Sequence, residues 1–441
     1  KDPQKVDARF AFAFPDLYEI GMSYLGLQIL YHQLNKQENI YCERVFAPAG
    51  DMETLMRQEQ VPLMTLETKT PLVEMDFVGF TLQYEMSFTT ILNMLELAGM
   101  PVYAKARGDE FPLVIAGGPC AFNPEPLADF VDLFLIGDGE QALPALVQKY
   151  IECKQNGITT KEGFLREACQ LEGVYVPRFY DVVYAEDGTI KELCKLYEGA
   201  PLPVCRAILP EIETVDFPVE PVIPIVEAVH DRSVVETFRG CTRGCRFCQA
   251  GMIYRPVRER SKDQILQLAE KQLKNTGNDE LSLLSLSTSD HSCFEALTMA
   301  LIDYTKRENI SLSLPSLRVD KFAFDVLNRI QEYKKSGLTY APEAGTQRLR
   351  DVINKGVTES DIYQSIEQAL ELGWKHIKLY FMIGLPTETY EDLDGIVEIA
   401  RNIRELNYKV NGPKGGRFSL TVSVSNFVPK AHTPFQWMAQ D

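Results

Sequence analysis

The stretch Ser233–Gly251, SVVETFRGCTRGCRFCQAG, runs from a short β-branched, strand-like segment directly into three cysteines at 241, 245 and 248. A strand that empties into a loop of reactive side chains is how parallel α/β folds place their functional groups, at the carboxyl ends of their strands. Working downstream, the alternation repeats. A helical pattern covers about 261–276, followed by LSLLSLS (281–287), a helix near 294–307, SLSLPSL (311–317) and a helix near 320–332. GLTYAP (337–342), helical patterns to 372, HIKLYFMIG (376–384), a helix near 388–406 and FSLTVSVS (418–425) complete the series. Six strand–helix repeats over 233–441 predict a partial parallel barrel, with every motif noted in it at a strand end.

Working upstream, ARFAFAF (8–14), FVGFTL (77–82), PLVIAGG (112–118) and DLFLIG (132–137) alternate with helical patterns. That alternation predicts an open α/β domain with a parallel sheet over about 1–170. Residues 171–232 change character. Short β-branched and aromatic runs surround the hairpin signal Asp187-Gly188, and prolines crowd 201–224, so this reads as a β-rich, Pro-rich connector.

A chain of 441 residues with 45% hydrophobic composition has ample material for large cores. No apolar run reaches the roughly 20 residues of a membrane span, and KDPQKVDARF does not read as a signal peptide, so a cytoplasmic protein is expected. Ten cysteines spread over this length suit reduced thiols, metal ligation or catalysis better than a disulfide framework. A net charge of −17 argues against a broadly basic nucleic-acid surface. Within it, Arg239, Arg243, Arg246, Arg255, Arg258 and Arg260 face one acid, Glu259. This local positive segment suits cluster tuning, a cofactor carboxylate, an anionic substrate such as RNA, or simply a solvated face.

The spacing Cys241-x3-Cys245-x2-Cys248 offers three thiolates to a [4Fe-4S] cluster and leaves the fourth iron without a local protein ligand, open to a small molecule. Arg243 and Arg246 favour the thiolate forms. A structural zinc site remains an alternative, although zinc normally takes four ligands in paired spacings and this loop holds no fourth Cys or His.

The wider string VVETFRGCTRGCRFCQAGMIYRPVRERS (234–261) resembles the radical S-adenosylmethionine (SAM) superfamily, in particular bacterial members with an amino-terminal cobalamin-binding-like domain, over essentially the whole chain. The resemblance implies a Rossmann-like open parallel sheet followed by a partial (βα)6 radical SAM barrel. It implies an enzyme in which the SAM amine and carboxylate chelate the open iron, and an electron from a flavodoxin- or ferredoxin-type donor cleaves the sulfonium bond. The resulting 5'-deoxyadenosyl radical would then act on a substrate, RNA or a metabolite, for modification or methylation. The resemblance also implies that relatives often continue into a further carboxy-terminal domain, which is expected to lie outside this sequence.

Carried onto this sequence, the resemblance places Phe247 beside the adenine and Ser287, Thr288 and Ser289 near the methionyl amine. Ser316 and Arg318 fall to the carboxylate or ribose, Glu343 to the ribose with Arg348 nearby, and Gly384 and Leu385 to the adenine segment. Cobalamin domains carry Asp-x-His-x-x-Gly in the first βα loop, the histidine being the lower cobalt ligand. Here Asp16 and Gly21 keep the frame and Tyr18 replaces the histidine, which leaves cobalamin binding open. Thr81, Gly117-Gly118-Pro119 and Gly137-Asp138-Gly139-Glu140 follow in the order such domains show. The rival from another class is a non-catalytic iron-sulfur protein of electron transfer or regulation. A methylthiotransferase would need a second cluster, and Cys42, Cys120 and Cys153 follow no ligand spacing.

Overall fold

The computed structural model describes residues 1–224, 226–314, 338–412 and 418–440. The chain divides into two compact units, Lys1–Pro210 with Thr214–Asp231, and Glu211–Glu213 with Arg232–Asp441.

The first unit is built on a six-stranded sheet of order β2-β1-β3-β4-β5-β6, with β1 Ala8–Phe14, β2 Ile40–Phe46, β3 Phe77–Thr81, β4 Leu113–Gly117, β5 Leu133–Leu135 and β6 Val174–Tyr175. The first five are parallel and β6 runs antiparallel to β5. Their sequences are near-continuous apolar runs because helices cover both faces, as parallel sheets require. Phe10 stacks on Phe77 at 5.7 Å across the sheet. Gly79 makes room for that ring, since a Cβ there would lie 2.3 Å from Phe10. The order 2-1-3-4-5 reverses direction between β1 and β3, and a doubly wound sheet opens a crevice for ligands at such a switch point. The stretch from Leu171 onward packs into this unit: it supplies β6 and the hairpin of β7 (Tyr180–Tyr184) and β8 (Ile190–Lys195), whose turn holds Asp187 and Gly188.

The second unit contains two three-stranded parallel sheets. One, of order β13-β12-β9, uses β9 Ser233–Glu236, β12 Glu280–Leu284 and β13 Ser311–Ser313; the other, β14-β15-β16, uses β14 Leu338–Glu343, β15 His376–Ile383 and β16 Ser419–Asn426. They alternate with helices Lys262–Thr276, Phe294–Glu308, Glu359–Glu371 and Tyr390–Asn411. Alternate strand residues decide which side is core. Val235, Leu281 and Leu283 pack under the helical residues Ile265, Ala269 and Leu301. Leu338, Ile377, Leu379 and Phe381 pack under Ile362, Ile366, Ile399 and Ile403. Each fully buried side chain of this size contributes roughly 1.5–3 kcal/mol.

Helix starts are written locally. Ser261 accepts from the Gln264 N–H, while Thr358 with Asp361 and Thr389 with Asp392 form capping boxes. Among the described residues no helix is long and apolar enough to cross a membrane.

Candidate cofactor site

The cysteine loop leaves β9 and is closed at its base by a two-residue ribbon. There β10 (Phe238–Arg239) pairs antiparallel with β11 (Arg258–Glu259). Gly240 turns at φ 93°, and a Cβ on it would stand 2.7 Å from Tyr254 O and 2.8 Å from Pro256 O, so only glycine fits. Beyond it stand Cys241, Cys245 and Cys248, all partly exposed. The Arg243 N–H points at Cys241 Sγ (3.4 Å) and the Gly251 N–H at Cys248 Sγ (3.3 Å). Burial pushes the Cys248 thiol up, while the Gly251 N–H and the Lys355 charge pull it down. Bound iron overrides that balance, because a coordinating thiol is deprotonated outright.

Three thiols with no fourth protein donor on the loop suit a cubane with one open iron. Among the described residues no group of three or more His, Cys, Asp or Glu side chains is placed to hold a metal ion. The loop carries three cysteines and no fourth Cys or His, whereas structural zinc normally takes four ligands.

The loop is braced from three directions. The Arg243 guanidinium forks onto Asp290, Nε to Oδ2 at 3.0 Å and Nη2 to Oδ1 at 2.5 Å, in the loop after β12. Ser287 Oγ donates to the same carboxylate at 2.8 Å. On a second side the Arg246 N–H donates to Ile353 O (2.9 Å) and Asn354 Nδ2 to Gly244 O (2.8 Å). On a third, Gln249 Nε2 reaches Ala431 O (3.2 Å) and the Phe435 N–H reaches Arg246 O (3.3 Å).

The arginines between 239 and 260 are engaged within the fold. Arg239 pairs with Glu236, Arg246 donates to Val352 O, Arg255 to Arg243 O, Arg258 to Pro256 and Tyr254 carbonyls, and buried Arg260 to Ile212 O and Gln264.

Several residues expected at the cofactor gather around this loop. Phe247 and Leu385 belong to one apolar cluster with Ala344, Ile353, Phe427 and Phe435. Glu343 ends β14 just past a bulge, at φ 69°, a left-handed conformation that costs a non-glycine residue on the order of 1 kcal/mol or more. Its Oε1 accepts from Lys355 Nζ at 3.0 Å, with both side chains mostly buried. Gly384 also has positive φ, 75°, and its N–H donates to Glu388 Oε2 at 2.7 Å.

The other expected residues have different surroundings. Thr288 and Ser289 are buried, and Thr288 Oγ1 lies 3.0 Å from Ser285 Oγ. Arg348 reaches across to Thr387 O (2.9 Å) and Asp392, tying its segment to the last helix. There Gly345 lies so close to Gly395 that neither has room for a Cβ. Ser316 and Arg318 lie outside the described residues. Asp290, Asn354 and Lys355 were not singled out from sequence; a carboxylate directly after Ser287–Ser289 was the available signal for the first.

In the first unit, a cavity of about 310 Å³ opens at the β1/β3 switch point, lined among others by Asp16, Ser23, Tyr24, Thr81, Gln83 and His230. Tyr18 is not on its wall. The Tyr18 ring lies edge-on to Phe46, centroids 5.3 Å apart, packed against the core. Gly118, at φ 103°, passes 2.9 Å from Leu82 O where a Cβ would stand.

Two family models match the chain, "Radical SAM proteins, N-terminal" over residues 26–177 and "Radical SAM superfamily" over 235–400. An uncharacterized protein of Methanocaldococcus jannaschii is 27% identical over 98% of this chain and 80% of its own length. An uncharacterized methyltransferase of Pyrococcus horikoshii is 22% identical over 67% of this chain and 59% of its own. Among solved structures, the fold resembles the radical SAM methyltransferase TsrM of Kitasatospora setae with a TM-score of 0.62 at 14% identity, covering 97% of this chain and 75% of that one. It also resembles the cobalamin-dependent radical SAM enzyme OxsB, with a TM-score of 0.60 at 13% identity, covering 98% of this chain and 60% of that one. With its cysteine loop at the mouth of a βα barrel and both family models in sequence order, the chain belongs to the radical SAM superfamily and is an enzyme of that class.

Proposed function

We propose that this enzyme holds a [4Fe-4S] cluster on Cys241, Cys245 and Cys248, cleaves SAM reductively there, and modifies or methylates a small anionic metabolite with the help of cobalamin in the first unit. The braced three-thiol loop carries this reading, because it supplies three ligands and keeps one coordination position for the cofactor. When bound, the cluster supplies the electron that breaks the sulfonium bond to give a 5'-deoxyadenosyl radical, and the donor is a flavodoxin- or ferredoxin-type protein of the cytoplasm. The chain's own residues do the holding. Asp290 and Asn354 fix the loop, Phe247 and Leu385 form an apolar wall for the adenine, and Glu343 offers Oε2 to ribose hydroxyls while Lys355 occupies Oε1.

The substrate class follows from which cations are committed. The arginines beside the loop are spent on carbonyls and acids, which supports a metabolite over RNA. Lys378 lies on the face of β15 opposite the core residues Ile377 and Leu379. Its ammonium sits 4.7 Å over the Tyr380 ring, with no ion pair among the described residues. Met382, two positions further along that face, packs against the cluster containing Phe247.

Cobalamin is supported by the cavity at the switch point and by the likeness to TsrM, a solved structure of which has cobalamin and a [4Fe-4S] cluster bound. The volume accommodates part of a corrinoid, such as its nucleotide tail, not the whole ring system. A methylthiotransferase would need a second cluster, and the burial of Cys42, Cys120 and Cys153 in the core does not favour one.

The test is anaerobic incubation of reconstituted protein with dithionite and SAM. The expected products are 5'-deoxyadenosine or S-adenosylhomocysteine. Neither product from a fully loaded cluster, together with a reduced-cluster paramagnetic spectrum that SAM leaves unchanged, refutes the enzyme reading in favour of electron transfer.

A further inference from the structure

In a closed parallel barrel the strand faces turned away from the helices fill the interior with bulky branched side chains, so the middle is packed core. The sheet β14-β15-β16 departs from that rule. Its helix-facing residues are apolar, with Ile377, Leu379 and Phe381 packed under the helices. The opposite face carries Thr339 on β14, Lys378 and Tyr380 on β15, and Thr421 and Ser423 on β16, with no Val, Ile or Leu among them. A face built this way is the wall of a wet chamber.

The register gathers these side chains. Thr339, Lys378 and Thr421 stand side by side across the three strands, and Tyr380 stands beside Ser423 one layer nearer the carboxyl ends. With strands about 4.8 Å apart and a rise of about 3.3 Å per residue, all five fall within roughly 12 Å of one another. The half-buried Lys378 folds its ammonium 4.7 Å over the Tyr380 ring, toward the carboxyl ends, and has no ion pair among the described residues. A cation with no carboxylate beside it, flanked by hydroxyls and an aromatic face, suits an anion borne on a hydroxylated carbon frame. The ammonium meets the negative group as a point charge, and the hydroxyls can both donate and accept. The same strand sets a spacing. Met382, two residues beyond Tyr380 on this face, packs against the apolar cluster of Phe247 and Leu385. Two residues of strand span about 7 Å, which is the reach from the ammonium to the level of the adenine wall.

We infer that the substrate is a hydroxylated organic anion, a sugar acid or sugar phosphate in chemical class, anchored inside the barrel by Lys378 over Tyr380, with Thr339, Thr421 and Ser423 selecting its hydroxyls. The inference rests on the enzyme reading above and deepens it. The anion lies several bonds from the carbon that meets the cofactor, so Lys378 acts on which molecule binds and how it is aimed.

The test uses the full chain and a protein-free small-molecule extract of cells, split on an anion-exchange resin into a retained and a flow-through fraction. Its first readout needs no turnover: acetylation of Lys378 by acetic anhydride, followed by mass spectrometry, with Lys409 on the last helix as the reference amine. The retained fraction and inorganic phosphate should each slow Lys378 by about threefold relative to Lys409 once roughly two-thirds of the sites are filled, and the flow-through should not. The second readout is 5'-deoxyadenosine from reconstituted enzyme. The retained fraction should raise it, and Lys378→Met, matched to wild type in iron content, should need at least about tenfold more of that fraction for half the effect. Lys378→Arg should stay within about threefold, since a guanidinium keeps the charge and also stacks on Tyr380. Phosphatase treatment names the anion: stimulation lost means a phosphate, stimulation kept means a carboxylate, and either supports the inference. Stimulation by the flow-through alone overturns it, as does a Lys378→Met variant that responds like wild type or a Lys378 amine that neither probe protects. SAM cleavage that neither fraction changes overturns the metabolite reading, and wild type that forms neither 5'-deoxyadenosine nor S-adenosylhomocysteine overturns the enzyme reading itself.

Discussion

The two ends of this chain treat their strand-end loops in opposite ways. The cysteine loop of the barrel is gripped from three sides by side chains and backbone groups far away in sequence, with its arginines tied down inside the fold. The switch-point loop of the first unit borders a cavity, with Tyr18 half-buried against the core and the backbone of Val229 and His230 bonded to Glu19 and Ser23. A cluster that must accept one electron and hold SAM in a fixed pose calls for a loop with few alternative positions. A bulky cofactor entering a crevice calls for room. Under the proposed function, pre-organisation is spent where the bond is cleaved.

Breaking the comparison at its strongest point gives the largest effect. Cys248→Ser should abolish both the iron–sulfur absorbance after reconstitution and all 5'-deoxyadenosine formation, read by iron content and chromatography. Next comes the brace. Asp290→Ala strands the Arg243 guanidinium, whose partner carboxylate is largely buried, and should cost on the order of 2–3 kcal/mol in denaturant unfolding, with lower iron retention.

Acid probes the barrel's other anchor. Burial opposes ionisation of Asp392, yet hydrogen bonds from Thr346, Arg348 and Thr389 hold its carboxyl at about 2. Because that value lies below the ordinary one near 3.9, its stabilisation is complete above about pH 4 and is lost as pH falls through 2. Asp392→Asn should remove about 2 kcal/mol at neutral pH and flatten the unfolding free energy between those limits, followed by denaturant titration.

Lys355→Met removes a positive charge felt at Cys248, so the cluster should become harder to reduce. About a tenfold fall in the reduction equilibrium, 59 mV for one electron, is the expected scale in a redox titration. The smallest effect sharpens the contrast from the other side. Tyr18→Phe, at a ring that does not line the cavity, should leave corrinoid retention unchanged and stability within about 0.5 kcal/mol.

Much of the architecture was legible because parallel strands and amphipathic helices announce themselves by period: LSLLSLS and HIKLYFMIG carry β12 and β15, and Ser261 and Thr389 start helices where expected. The cysteine loop stood out because its three thiols sit close together in sequence, as they must if one loop is to supply three ligands to the proposed cluster. What sequence hid were residues whose meaning lies in a distant partner. Asp290 matters through Arg243, 47 positions earlier, and the His230 backbone is tied to Ser23, 207 positions before it. The arginine-rich span is a similar case. Sequence does not show that Arg246 and Arg260 donate to the distant Val352 and Ile212 carbonyls, and the structure also pairs Arg239 with its near neighbour Glu236.

The bonds from Ala431 and Phe435 to the cysteine loop also set a timetable. A ribosome adds roughly 5–20 residues per second. For many seconds after Cys248 has been made, the segment that completes its grip does not yet exist. Throughout that interval the loop is held from two sides only, by the segments around Asp290 and Asn354 once these are made, and its third support comes last.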